Sequence, residues 1–82
     1  MAARFSSEAH AFGLAVRTRR ERLGISQEAL AAIAGLHRTY VGSVERGERN
    51  VTLKNVFSLS RALKTTASRL LADTEKIQRG AD

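Results

Sequence analysis

The 82-residue chain has no cysteine, no proline and no tryptophan. Without cysteine there is no disulfide framework and no thiolate metal site. The two histidines, His10 and His37, are far apart and have no acidic cluster beside them, so neither a metal nor any other cofactor is expected. The absence of proline suits a chain that is helical throughout. There is no run of about 18 apolar residues that would span a membrane. The N-terminus carries no secretory apolar region, so a cytoplasmic, nucleoid-associated location is expected. Aromatic residues are limited to Phe5, Phe12, Tyr40 and Phe57. No nucleophile–base pair, metal cluster or phosphate loop is visible, so neither enzymatic chemistry nor a small-molecule ligand is expected. A chain of this length forms one small domain, near the lower limit for a core that needs no staple.

Positive charge, in contrast, is plentiful. Fourteen Lys and Arg stand against eight Asp and Glu, a net charge of +6. All but Lys54, Lys64 and Lys76 are arginine, the side chain that makes bidentate contacts to phosphate and guanine. A basic domain this small points to a polyanionic partner, with general solubility as the blander and lesser alternative.

Five helices can be read along the chain. Ser6 or Ser7 is placed to cap the first, whose apolar stripe is Phe12, Ala15, Val16 and Leu23, and Gly24 ends it. Ser26 caps the second, with Gln27 and Glu28 in its first turn and Gly35 at its close. The third runs from about His37 to Arg46, with Gly47 as its stop. Thr52 caps a fourth, where Leu53, Val56, Phe57, Ser60 and Leu63 form a stripe expected to be buried. Thr66 caps a fifth, with Ala67, Leu70, Leu71 and Ile77 as its apolar positions. The chain is read as one domain over 1–82 with its core in 11–72; residues 1–5 and 76–82 are expected to fray.

The stretch from Ser26 to Arg49 carries the chemistry. Leu30, Ile33 and Ala34 anchor its first helix, Val41 and Val44 its second, and Ala31 is small where the two must touch. Such a pair is a helix-turn-helix, whose second helix is shaped for the DNA major groove. The outward positions of that helix are read as Arg38, Thr39, Ser43 and Arg46, the base-reading set. Arginine matches the O6 and N7 acceptors of guanine, and threonine offers a hydroxyl plus a methyl for thymine. Ser43 either contacts a base or lets the helix sit close. Tyr40 either packs its ring on the turn or reaches DNA with its hydroxyl. Ser26 and Gln27 open the second helix, where backbone amides attract phosphate. Arg49, Asn50, Thr52 and Lys54 cluster at the start of the fourth helix and either grip the backbone or form a solvated loop. Arg17 completes the backbone set. Arg19 and Arg20 flank or interrupt the apolar stripe of the first helix, so at least one needs a mate. Glu45, beside Val44 on the inner side of the third helix, suits Arg20 as a structural salt bridge.

The residues Phe12-Gly13, Val16-Arg17, Arg20, Gly24-Ile25-Ser26-Gln27-Glu28, Leu30-Ala31, Gly35-Leu36, Tyr40-Val41, Val44-Glu45-Arg46-Gly47 and Leu53 resemble the Cro/C1-type, or xenobiotic-response-element, helix-turn-helix family. The likeness covers about residues 11 to 72. It implies an all-α, five-helix, lambda-repressor-like domain, with the helix-turn-helix formed by helices 2 and 3, that binds double-stranded DNA and usually pairs with itself. Within that family the run from Arg38 to Leu53 looks most like restriction–modification controller proteins, small dimeric regulators of their own gene and an endonuclease gene. The family often has an aliphatic residue where this chain has Arg19, which leaves the packing of the first helix open.

The expectation is therefore a homodimer on a near-palindromic operator, with recognition helices ~34 Å apart in successive major grooves. Leu70, Leu71 and Ile77 are its expected interface, one of the leucines serving the monomer core instead. Occupancy over a promoter element would block polymerase, and occupancy just upstream would recruit it. Two rivals stand beside this reading. One is an antitoxin-like interaction module that uses the tail after Asp73. The other is an RNA-binding module built on Arg17 to Arg22, which the shortage of stacking aromatics opposes.

Overall fold

The computed structural model describes residues 7–80. They form five helices: α1 (Ser7–Arg22), α2 (Gln27–Ala34), α3 (Arg38–Glu45), α4 (Leu53–Ala62) and α5 (Ala67–Gln78). Three of them start on side-chain caps. Ser26 Oγ accepts from the Ala29 amide at 3.0 Å, Thr52 Oγ1 from Asn55 at 3.1 Å and Thr66 Oγ1 from Arg69 at 3.2 Å. Each satisfies an amide that the helix itself cannot, which is why short polar residues stand at these breaks. Ser6 and the expected frayed segments 1–5 and 81–82 lie outside the described residues.

The turn between α2 and α3 depends on Gly35, whose φ of 72° is open to glycine at little cost. The Leu36 amide then returns to Ala31 O at 2.9 Å, closing α2 and turning the chain into α3. Ala31 is buried at this crossing. The core comprises Phe12, Ala15, Val16, Leu30, Ala31, Val41, Val44, Val56, Leu59, Ala62, Leu63 and Leu70, drawn from all five helices. α1 lies against both α3 and α5. It approaches α3 at Gly13, where a Cβ would run into the carbonyl oxygens of Val44 and Glu45.

Several sequence expectations are corrected. Ile33 does not anchor α2; it is 63% exposed, and α2 instead inserts Leu30 and Ala31. Leu23 also stays in water, because α1 ends at Arg22 before its stripe completes. In α4 the buried face is Val56, Leu59, Ser60 and Ala62, leaving Leu53 70% and Phe57 46% exposed. Ser60 tolerates burial because its hydroxyl donates to Val56 O at 2.7 Å. The polar end of α5 is helical through Gln78 rather than frayed from residue 76. Thr74 is buried, Ile77 packs on the core, and Gln78 Nε2 donates to Ser7 Oγ at 3.0 Å. Arg19 has its own mate in Asp73, at 2.6 Å. Among the described residues, no helix is long and apolar enough to cross a membrane.

Candidate nucleic-acid interface

α3 is only eight residues long, so its orientation depends on what braces it. Arg20 of α1 donates through Nε to Glu45 Oε2 at 2.7 Å and through Nη2 to Glu45 Oε1 at 3.0 Å. Its Nη1 donates to Ile25 O at 2.9 Å, so one guanidinium ties α1, the segment before α2, and α3 together. The Glu45 side chain is only 3% exposed, and the hydrogen bond it accepts raises the Arg20 pKa above its ordinary value. Gln27 adds a third donor, with Nε2 at 2.9 Å from Glu45 Oε1. Because a carboxylate can only accept, the amide nitrogen of Gln27 must face Glu45. Its carbonyl oxygen therefore faces the other way, 3.4 Å from where a Gly42 Cβ would stand.

The result is a concavity of about 580 Å³ between the start of α2 and the outer side of α3. Ser26, Gln27 and Glu28 form one wall; Arg38, Thr39, Gly42 and Arg46 form the other, with Arg20 beneath. Arg38 lies 3.8 Å from Glu28, an ion pair too long for a hydrogen bond. Arg46 is held more firmly: Nε is 3.1 Å from Glu48 Oε2 and Nη2 is 3.2 Å from Glu48 Oε1. The hydrogen bond to Glu48 raises the Arg46 pKa above its ordinary value.

Ser43 is not part of this wall, contrary to its expected base-reading position. It is 6% exposed, donates to Tyr40 O at 2.7 Å and accepts from Arg49 Nε at 3.0 Å. The line of α3 that borders the concavity is Arg38, Gly42 and Arg46, a four-residue spacing, with Gly42 itself buried under Gln27 and the Arg46 guanidinium. Ser43 lies one residue further round, beneath the α3–α4 loop. Gly42 escaped a reading that looked for hydrogen-bonding side chains, since its contribution is the space it leaves.

The expected backbone set falls into separate groups. Ser26 and Gln27 are at the concavity. Tyr40 is half-buried; its hydroxyl accepts from Asn55 Nδ2 at 3.0 Å, and the Arg49 guanidinium carbon lies 5.4 Å from its ring centroid. Tyr40, Ser43, Arg49 and Asn55 thus join α3 to the first turn of α4. Asn55 was missed because nothing in its local pattern shows that Tyr40 lies opposite. Asn50, Thr52 and Lys54 are exposed around the α4 N-terminus. Arg17 is exposed on α1 and pairs with Glu21 at 3.1 Å, away from the concavity lining. The expected dimer set also divides. Leu70 is fully buried in the core, so it cannot serve an interface; Leu71 is exposed and Ile77 half-buried.

This arrangement is that of a helix-turn-helix with its second helix presented outward, and the helix-turn-helix family pattern matches residues 16–70. The chain belongs to the helix-turn-helix family. It is 57% identical over 56 residues to control protein C.SmaI of Serratia marcescens, covering 68% of this chain and 67% of that protein. The restriction–modification controller protein C.AhdI of Aeromonas hydrophila has a similar structure, with a TM-score of 0.77 and 45% identity over 79% of this chain and 98% of that one. A further similar structure is the restriction–modification controller protein C.Esp1396I, crystallised as a tetramer with its natural 35-base-pair operator. It superposes with a TM-score of 0.83 and 26% identity over 90% of this chain and 97% of that one. The relatives and solved structures it matches thus include restriction–modification controller proteins, one of them bound to its operator DNA.

Proposed function

We propose that this protein is a cytoplasmic, nucleoid-bound controller that regulates restriction–modification genes by binding a near-palindromic operator as a homodimer. The observation that carries the reading is the concavity itself: Arg38, Thr39 and Arg46 are exposed around a buried Gly42 beside the N-terminus of α2. Arg38 and Arg46 supply bidentate donors for guanine edges, and Thr39 a hydroxyl and a methyl. Ser26 and Gln27 meet the sugar-phosphate backbone, where the α2 amides favour an anion. Tyr40, Arg49, Asn50, Thr52 and Lys54 flank the groove, and Arg17 adds positive charge on α1. The bound form of C.Esp1396I is a tetramer, which supports self-association on DNA as the working state. The surface for it is the exposed apolar side chains of α4 and α5, namely Leu53, Phe57 and Leu71.

Selection of bound duplexes from a random pool at near-physiological salt tests this. The expected outcome is an inverted repeat with about one-turn half-site spacing. Arg38→Ala should then relax the preference at particular base pairs and cost about 1–3 kcal/mol of operator affinity, read by fluorescence anisotropy. Recovery of no enriched sequence would overturn the reading and direct attention to protein partners.

A further inference from the structure

The two exposed arginines of the reading wall are held differently. Among the described residues, Arg38 has only the distant Glu28 carboxylate, at 3.8 Å. Arg46 is gripped side-on by Glu48, with Nε at 3.1 Å and Nη2 at 3.2 Å from its two oxygens. Its remaining nitrogen, Nη1, lies over Gly42, 3.2 Å from where a Cβ would stand, within the concavity.

A guanidinium has five N–H donors in a rigid plane. The fork to Glu48 uses the Nε hydrogen and one Nη2 hydrogen. The outer Nη2 hydrogen and the Nη1 hydrogens remain, forming an end-on edge that matches guanine O6 and N7. The same carboxylate occupies the edge that a phosphate would otherwise take, and its negative charge opposes a phosphate nearby. We propose that Glu48 is a specificity-determining positioning residue, which fixes Arg46 so that it offers its end-on edge to a base and withholds its side-on edge from the DNA backbone. The inference rests on the reading of Arg46 as a base-reading residue.

The test uses the full chain, the selected inverted-repeat duplex, a set of duplexes each altered at one half-site base pair, and a scrambled duplex. Affinities are measured by anisotropy between about 50 and 200 mM salt, the range in which phosphate contacts declare themselves. Glu48→Gln is expected to relax preference at the same base pair as Arg46→Ala, by roughly two- to fivefold, the factor an exposed ion pair is worth. Binding to the scrambled duplex should strengthen, with a salt slope steeper by about 0.9, the increment for one added phosphate contact. In an Arg46→Ala background, Glu48→Gln should change base preference no further.

If Arg46→Ala relaxes one base pair but Glu48→Gln shifts every duplex by the same factor, the positioning role is wrong and the reading of Arg46 stands. If Arg46→Ala relaxes no base pair, the reading of Arg46 fails and this inference falls with it. Unfolding curves for both variants serve as a check, since each side chain is exposed and the fold should be unaffected.

Discussion

Replacing Gly13 with alanine should uncouple the recognition helix from its brace. The new Cβ would stand against Val44 O, 2.8 Å from Glu45 O and 3.0 Å from the Glu45 carbonyl carbon. All are backbone atoms of α3, and none can swing aside as a side chain would. Overpacking of this kind costs about 1–3 kcal/mol, and a rigid obstacle places it at the upper end. Alanine in place of glycine within a helix returns about 1 kcal/mol. The net loss is therefore about 2 kcal/mol, which in a domain of this size lowers Tm by roughly 8–16 °C. Gly42→Ala is the internal control. Its Cβ would meet Arg46 Nη1 at 3.2 Å and Gln27 Oε1 at 3.4 Å, side-chain ends that, though hydrogen-bonded, can give by a few tenths of an ångström where backbone cannot. That variant should gain up to about 1 kcal/mol, yet bind DNA more weakly because a methyl enters the concavity. Thermal denaturation followed by circular dichroism reads the first effect and operator anisotropy the second. A Gly13→Ala protein that melts at or above the wild-type temperature would refute the reasoning.

Other outcomes follow from the same packing. Glu45→Ala strands the Arg20 guanidinium and removes an acceptor from Gln27, so urea unfolding should show a loss of about 3–5 kcal/mol; no loss would mean that water replaces the carboxylate. Leu70→Ala, at a fully buried position, should cost about 2–5 kcal/mol in the same assay. Phe57→Ser, at an exposed position on α4, should instead leave the fold intact and weaken self-association in sedimentation velocity. A Phe57→Ser protein that sediments as the wild type would move the dimer surface elsewhere.

Local chemistry was legible in the sequence. Ser26, Thr52 and Thr66 announce helix starts because a cap needs only a short oxygen-bearing side chain and an amide three residues on. The glycines after α1 and α2 mark their ends for the same local reason. Arg20 drew attention because a charge on an apolar stripe needs a partner, and Glu45 lay on the inner side of a neighbouring helix. What was not legible depends on how helices meet. Ser43 lies one step around a two-turn helix from Gly42, which borders the concavity, and it is Arg49 from the α3–α4 loop that takes the Ser43 hydroxyl out of reach. Leu53 and Phe57 follow helical spacing with Val56, yet a stripe that wide exceeds what the neighbouring helices cover. The end of α5 looked polar enough to fray, but its support comes from Ser7, more than sixty residues earlier in the chain. The Asp73 partner of Arg19 is likewise a tertiary contact that no local window contains.

α1 bears on α3 through Gly13 and Arg20, and on α5 through the Arg19–Asp73 pair and the Ser7–Gln78 contact. The proposed recognition helix, and one of the two helices proposed to meet a second copy, are thus bolted to one shaft. A pair of such molecules joined through α5 would behave as calipers locked at one opening, not as two hands on a flexible arm. It should measure the distance between half-sites as strictly as it reads the bases within them. A single base pair inserted at the operator's centre would rotate and displace one half-site, leaving both sequences intact and neither simultaneously reachable.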